Sequence, residues 1–328
     1  MERQGMLGRT LREYRSEIAM LGVFLLFFVI MSLSSEYFFT TRNLMNVMSQ
    51  VSSNAMLAIG MTIVIITSGI DLSVGGNLGL SGMIGCMVMV STRNVFLGIA
   101  TILLVSSAVG LVNGLLIGYL KMPAFIVTLG IMQVCRSLDY VISNANTASK
   151  FPAAYSFLGK SRIAESFPIY IIFILGIFCI FGWIMSKCKF GRFLYAIGSN
   201  AEAARLSGIN VKFNTMLAYV CSGLMCGFAA WMMTSRLMAC DPTYGSGNEM
   251  DAIAAAVIGG VSMSGGKGKL VGTAIGVLLV GFLRNALNIL GVNPFWQGSA
   301  IGAVIIIAVL AEKLSKIQLG KKRRLMAA

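Results

Sequence analysis

The chain has 328 residues, of which 57% are hydrophobic and only 12% are charged, and its formal net charge is +14. Soluble domains carry roughly 25% charged residues, so the composition excludes an ordinary soluble fold and indicates an integral membrane protein. Most of the positive charges lie in the predicted loops and tails, which favours membrane topology over nucleic-acid binding as their explanation.

About ten hydrophobic segments follow one another along the chain. A helix needs about 20 mostly apolar residues to cross a bilayer, and lipid offers no hydrogen-bond partner to non-helical backbone. The segments therefore predict an all-α integral membrane fold of about ten transmembrane helices, in one transmembrane domain over 1–328. The eighth segment is too short to span and is expected to be re-entrant or a half-helix. The segments lie near 18–35, 45–67, 72–92, 95–119, 124–142, 169–186, 214–235, 251–261, 270–290 and 297–312.

The basic residues predict how the chain is oriented in the membrane. Most of the 26 Lys and Arg residues fall in the N-terminal segment 1–16, the loop 187–213 and the basic tail 313–328. Because cytoplasmic stretches carry the excess of positive charge, these three stretches and both termini are expected in the cytoplasm. No small-residue cleavage site follows the first segment, which is therefore expected to be a retained anchor.

A faint internal repeat suggests two inverted five-helix halves. Ser68-Gly-Ile-Asp71 opens the third segment and Glu249-Met-Asp-Ala252 opens the eighth, while Pro123-Ala-Phe125 opens the fifth and Pro294-Phe-Trp296 the tenth. The paired segments would run in opposite directions. Inverted repeats are a frequent plan of transporters, with the substrate path at the repeat interface. Matches this short also arise by chance, so the repeat is a hypothesis.

Two aspartates, Asp71 and Asp251, each lie in the first turn of a hydrophobic segment. One interpretation is a polar contact in the translocation path. The other, which we favour, is a carboxylate that caps a helix and complements its N-terminal dipole. Neither segment has a second acidic residue within its apolar run and the chain has no histidine, so a proton relay is not expected.

Neutral polar and aromatic residues are the better candidates for lining a path. Amides and aromatic faces suit an uncharged polyhydroxylated solute, although each of these side chains could instead bond to a neighbouring helix. We expect about half of them to line a pore. The candidates are Asn77, Asn113, Gln133, Asn285, Asn288, Gln297, Phe125 and Trp296.

No metal, haem or nucleotide site is predicted in this chain. The seven cysteines form no Cys-x-x-Cys pair and there is no histidine, whereas zinc and haem sites usually need such ligands. The glycine-rich stretch from Gly259 to Lys269 lacks the Gly-Lys-Ser/Thr of a phosphate loop. The glycines are expected to serve helix packing.

The loop 187–213 is the most informative stretch outside the membrane. Residues 201–207 are good helix formers, Asn200 can cap such a helix and Gly208 can terminate it. A short capped helix suits docking of a partner, the alternative being an ordinary connecting turn. We favour the docking interpretation because the loop is long and charged.

The same loop carries a resemblance to a known family. Glu202-Ala-Ala-Arg-Leu-Ser-Gly208 resembles the Glu-Ala-Ala-x-x-x-Gly core by which permeases of ATP-binding-cassette importers engage their ATPases. The whole chain resembles the ribose/xylose/arabinose-type permeases of monosaccharide importers. It departs from the wider importer motif in having Ala218-Tyr-Val220 where Ile-x-Leu-Pro would continue. The matching stretches are Thr67–Gly75, Pro123–Gly130, Tyr195–Asn200, Asp251–Gly260 and Leu287–Gln297.

The resemblance implies a permease subunit, not an enzyme, in the bacterial cytoplasmic membrane. Its expected partners are a second permease chain (a homodimer), an ATPase subunit with two nucleotide-binding modules, an external sugar-binding protein and membrane lipids. ATP and Mg would bind to the ATPase, and this chain would bind no cofactor. The residues implied in ATPase coupling are Asn200, Glu202, Ala203, Ala204, Arg205 and Gly208.

Two other classes of protein remain as alternatives. An ATP-independent secondary transporter is disfavoured by the absence of histidine and by an apparent scarcity of buried carboxylates. A membrane-embedded enzyme would need a metal-ligand set, an acid pair or an activated nucleophile, and the sequence shows none.

Overall fold

A computed structural model describes residues 15–163, 167–293, 295–307 and 310. Most of the N-terminal segment 1–16 and the basic tail 313–328 lie outside these residues. The described chain is almost entirely helical, which confirms the all-α prediction. Its one pairing of strands joins the two-residue strands β1 (Arg162–Ile163) and β2 (Phe167–Pro168) in antiparallel register.

Eight of the described helices are long and apolar enough to cross a membrane. They are α1 (Arg15–Ser34), α2 (Thr41–Ile66), α3 (Val74–Thr92), α4 (Val95–Gly114, extended by a π-helical turn, Leu115–Tyr119), α5 (Ala124–Ser143), α7 (Ile169–Lys187), α10 (Val211–Leu237) and α12 (Leu270–Ile289). The shorter helices are a 3-10 turn (Ala153–Ser156), α6 (Phe157–Lys160), α8 (Lys189–Ser199), α9 (Ala201–Leu206), α11 (Asn248–Ile258) and α13 (Phe295–Ile307).

The core of the bundle is formed by α2 and α10, which pack against each other, and α10 packs in addition against α3 and α4. Every residue of α2 from Ala55 to Ile66 is buried. Where α10 meets α4, the glycines Gly110 and Gly223 face each other, and a Cβ on Gly110 would come within 3.0 Å of the Gly223 Cα. Close approach through small residues is how helices associate in lipid, where hydrophobic burial offers little driving force.

Two helices begin inside the bundle instead of at its surface. Ser68 donates to the carbonyls of Gly198 and Ser264 on the side of the molecule that carries α9 (the α9 side). Residues 67–73 then run into the bundle before α3 begins at Val74. From the opposite side, residues 238–247 lead in from the end of α10 to the start of α11.

The starts of α3 and α11 meet within the bundle. The backbones of Gly75 and Gly245 are so close that a Cβ on either glycine would strike the other's carbonyl oxygen. From this meeting point α3 runs away from the α9 side and α11 runs toward it, which fits the inverted repeat proposed from the sequence. With 11 residues, α11 is about 16 Å long. It therefore covers only half of a bilayer core of about 30 Å.

Candidate functional site

The helix α9 has the ends that the sequence predicts. The Asn200 side chain accepts from the Ala203 backbone N–H at 2.9 Å, and Gly208 terminates the helix with a φ of +82°. Ala204 is buried, whereas Glu202 and Arg205 are exposed and form an ion pair at 2.6 Å. The hydrogen bond from Arg205 lowers the pKa of Glu202. Glu202 and Arg205 thus form an exposed charged face of α9, while Ala204 lies on its buried face.

The base of α9 is connected to the break before α3. Gly198 packs so closely against the Ile66 carbonyl that a Cβ at position 198 would clash with the carbonyl oxygen. The Gly266 N–H donates to the same Ile66 carbonyl at 2.9 Å, and the Tyr195 hydroxyl donates to the Gly268 carbonyl at 2.7 Å. Since Ser68 also bonds Gly198, a displacement of α9 would reach residues 67–73 through these contacts.

Asp71 lies in the centre of a buried hydrogen-bond network. Its Oδ1 accepts from the Ser73 N–H and hydroxyl at 3.1 and 2.6 Å, and its Oδ2 accepts from the Ser222 hydroxyl at 2.7 Å. The Asn113 amide donates to the Ser73 hydroxyl at 2.8 Å. The carboxylate therefore organises the start of α3 and ties it to α10 and α4. The N-cap residue of α3 is Ser73, so the structure does not show the helix-capping role favoured for Asp71.

Replacing Ser222 with alanine should destabilise the protein by about 1 to 3 kcal/mol, because it leaves one oxygen of the buried Asp71 unsatisfied. The thermal midpoint in detergent measures the effect. Ser186→Ala is the matched control, since Ser186 is exposed and donates to the Trp183 carbonyl of its own helix, at 3.3 Å. A loss of stability as small as that of the control would show that the network adds little.

Asn77 is also buried beside this network. Its amide donates to the Ser106 carbonyl at 3.0 Å, while the side-chain oxygens of Asn77 and Asn113 have no partner among the described residues. Both asparagines serve helix contacts on at least one side. Because these two side-chain oxygens can still accept a hydrogen bond, both asparagines remain candidates for the path.

Asp251 is buried and paired with a cation. Arg284 donates to its Oδ1 at 2.7 Å and Asn54 donates to its Oδ2 at 3.1 Å. One residue along α12, Asn285 and Asn43 exchange two amide hydrogen bonds at 2.8 and 2.9 Å. These contacts join α2, α11 and α12, so both predicted path residues are engaged in helix contacts.

A further polar centre lies where α3 and α11 begin. Arg136 on α5 donates to Glu249 in the first turn of α11 at 3.3 Å and to the Ser246 hydroxyl at 3.0 Å. Asp139, one turn along α5, is buried. Sequence reasoning missed all four residues as candidates, although Arg136 and Asp139 stand inside the hydrophobic segment 124–142, where a charge is a signal.

The expected scarcity of buried carboxylates is therefore wrong. Asp71, Asp139, Glu249 and Asp251 are all buried, and the two acids Glu249 and Asp251 share α11. The argument against an ATP-independent transporter that rested on this scarcity is lost. What remains is that two of the four carboxylates are paired with arginines, which makes them poor members of a proton relay.

The structure does not bring the predicted path residues together in one cavity. Phe125 is 56% exposed and Trp296 is 67% exposed, and Gln133 is exposed on α5. Asn288 accepts from the Gln297 amide at 2.6 Å near the start of α13. The predicted residues thus divide into four groups: the Asp71 network, the Asp251 contacts, the Asn288–Gln297 pair, and the exposed residues of α5 and α13.

A crevice of about 900 Å³ between α2, α7 and α12 is a different kind of space. Its walls are mainly aliphatic and aromatic, as at Met48, Phe178 and Leu278, and Arg192 and Lys269 lie at its rim. Such walls suit lipid chains and would give a polar solute few hydrogen bonds, so we do not place the path there.

The architecture is that of a multi-pass membrane transport protein. The chain belongs to the family described as branched-chain amino acid transport system / permease component, whose family model matches residues 43–309. It is therefore a permease, and its family membership identifies its function as transport.

Several curated relatives are similar over most of the chain. The ribose import permease protein of Escherichia coli strain K12 is 39% identical over 305 residues, which is 92% of this chain and 94% of that protein. The ribose import permease protein of Bacillus subtilis strain 168 is 41% identical over 295 residues, 89% and 91% of the two chains. The D-allose transport system permease protein of E. coli K12 is 39% identical over 286 residues, 86% and 87%. No solved structure matches the chain.

Proposed function

We propose that this chain is the permease subunit of an ATP-driven importer that moves a monosaccharide, or a related small polar solute, into the cytoplasm of a bacterium. The similar proteins named above for ribose and allose support the substrate class. The observation that carries the ATP-driven part is α9, a capped and exposed helix whose base contacts the break before α3.

The proposed mechanism uses α9 as the contact with a partner ATPase that binds ATP and Mg. Asn200, Gly208 and the buried Ala204 fix the geometry of the helix, Ala203 receives the cap through its N–H, and the exposed Glu202–Arg205 pair would meet the partner. Movement of α9 would shift residues 67–73 and so the start of α3. In this mechanism the permease has two conformational states, and ATP binding to the partner ATPase shifts their populations.

The proposed assembly contains two copies of this chain, one ATPase subunit with two nucleotide-binding modules and an external sugar-binding protein. Both termini and the loop 187–213 would face the cytoplasm, as the basic residues predict. The exposed aromatic and polar residues on α5 and α13, Phe125, Gln133 and Trp296, would then line the path between the two copies or help to join them.

The test is purification from the native membrane in mild detergent, followed by reconstitution of what co-purifies into liposomes. We expect an ATPase to co-purify with the chain in stoichiometric amount. Monosaccharide uptake into the liposomes should require the binding protein, and ATP on the side of the membrane that carries the ATPase. Recovery of the folded chain alone, with solute uptake that ignores ATP, would instead establish the ATP-independent transporter.

A further inference from the structure

A small polar cavity lies beside the meeting point of α3 and α11. It has a volume of about 90 Å³ and is lined by Arg136, Asp139, Tyr140, Thr243, Tyr244 and Ser246, with Gly76 and Gly79 as its floor. We propose that this cavity is a binding subsite for the hydroxyl-bearing edge of a polyhydroxylated solute, with the Asp139 carboxylate accepting a hydrogen bond from a solute hydroxyl. The inference rests on the proposed function and deepens it.

Asp139 is the main reason for the proposal. Its side chain is 1% exposed, and its Oδ1 has no hydrogen-bond partner among the described residues. The carboxylate of Asp241, which does not line the cavity, already accepts from the hydroxyls of Thr147 and Thr243 at 2.6 Å each. Burying a carboxyl group without a partner costs free energy, so an unsatisfied one beside a cavity points to a ligand that completes it.

Arg136 supplies donors on the same face of α5. It lies three residues before Asp139, which places the two side chains on one side of the helix. Its two terminal nitrogens are held by Glu249 and Ser246, while its Nε has no partner among the described residues. The cavity therefore combines a fixed cation with a free acceptor, which suits a neutral solute whose hydroxyls both donate and accept.

Two tyrosines complete the chemistry of a carbohydrate subsite. Tyr140 and Tyr244 lie in the cavity wall next to the charged pair. Aromatic faces offer an apolar surface to the C–H faces of a sugar ring, while their hydroxyl groups stay polar. A metal ion or a small anion has no C–H faces to place against these rings, so their presence favours a polyol.

The floor of the cavity depends on glycine at position 79. A Cβ there would come within 2.7 Å of the Asp139 Oδ2 and 2.9 Å of the Tyr244 carbonyl. Any larger residue would therefore push against the carboxylate or close the space. A volume of about 90 Å³ corresponds to roughly three water molecules of about 30 Å³ each. The subsite thus accommodates one edge of a sugar ring, and the rest of the molecule would lie outside it.

The first experiment compares Asp139→Asn with wild type in the complete importer, reconstituted with its ATPase and binding protein. We expect initial uptake to fall about ten-fold, the loss of a charge-assisted hydrogen bond, while the importer still assembles. The thermal midpoint should stay equal or rise, because an unsatisfied buried charge is removed. Glu36→Gln is the control, an exposed acid outside the cavity whose uptake should stay within two-fold.

The second measurement uses monodeoxy analogues of the transported sugar. In wild type, removing the hydroxyl that bonds Asp139 should reduce uptake about ten-fold, and in Asp139→Asn the same removal should have little further effect. Because the binding protein is the same in both preparations, its own preference cancels in the comparison. Equal penalties in both proteins for every analogue would overturn the subsite.

The other outcomes are also decisive. Uptake by Asp139→Asn equal to wild type would show that the cavity holds only water, and a fall in uptake together with the thermal midpoint would show a structural role; both overturn the inference alone. A wild-type complex that imports no polyhydroxylated solute overturns the proposed function and the inference together. Sugar uptake by the wild-type complex is therefore the observation that distinguishes failure of this inference from failure of the proposed function.

Discussion

Gly208→Pro is expected to abolish ATP-driven uptake while the membrane bundle stays folded. Gly208 has a φ of +82°, and its N–H donates to the Arg205 carbonyl at 3.0 Å. Proline fixes φ near −65° and has no N–H, so the end of α9 cannot form. If α9 transmits the motion of an ATPase, uptake in proteoliposomes should fall by more than ten-fold with a thermal midpoint close to that of wild type.

Asparagine and alanine at position 208 are the matched controls. Among the described residues, no atom beyond the two chain neighbours lies within 4 Å of a Cβ built on Gly208, so both side chains fit and the backbone conformation distinguishes them. Asparagine tolerates the left-handed region better than alanine, so uptake should follow the order glycine, asparagine, alanine, proline. Normal uptake in the proline variant would show that the end of α9 has no part in coupling. Loss of the co-purifying ATPase would place the defect in docking.

The ends of α9 could be predicted from the sequence because capping is local. An asparagine that accepts from a backbone N–H three residues on, and a glycine that adopts a positive φ, lie within one short stretch of chain. The membrane spans could be predicted for a similar reason, since the thickness of lipid sets the length of an apolar segment. The short α11 follows from the same rule.

The polar centres could not be predicted because they depend on which helices are neighbours. Arg136 and Glu249 are 113 residues apart, and Asp71 and Ser222 are 151 residues apart. Nothing local to either partner indicates the other. The visible signals were the charges within apolar segments, at Arg136 and Arg284, and these were overlooked in favour of neutral amides.

The exposed candidates illustrate a second limit. The aromatic side chains of Phe125 and Trp296 are suited to stacking, but they point away from the single chain. Whether such residues line a path depends on what covers α5 and α13, which no pattern within one chain determines. The buried centre at Arg136 and Asp139 is different, because the side chains that surround it all come from this chain.

Arg284→Met is expected to produce the largest loss of stability in the bundle. It removes the cation 2.7 Å from Asp251, a carboxylate that is 3% exposed, and leaves the Asn54 amide on its other oxygen. Breaking a buried ion pair from one side typically costs about 3 to 5 kcal/mol, because a buried charge remains uncompensated. The Arg284 side chain is 37% exposed, so the expected loss lies at the lower end of that range. A thiol-reactive dye that reports unfolding through buried cysteines such as Cys226 measures the midpoint.

The double variant Asp251→Asn with Arg284→Met isolates the pair. With both charges removed, the amide can still accept from Asn54 and no uncompensated charge is left, so the double variant should recover most of the stability that Arg284→Met loses. Arg284→Lys keeps the charge but gives up the planar fork, and should fall between wild type and Arg284→Met. The single variant Asp251→Asn completes the comparison. If the losses of stability in Arg284→Met and Asp251→Asn simply add in the double variant, the two residues are not energetically coupled, and α11 must be held to α12 by packing alone.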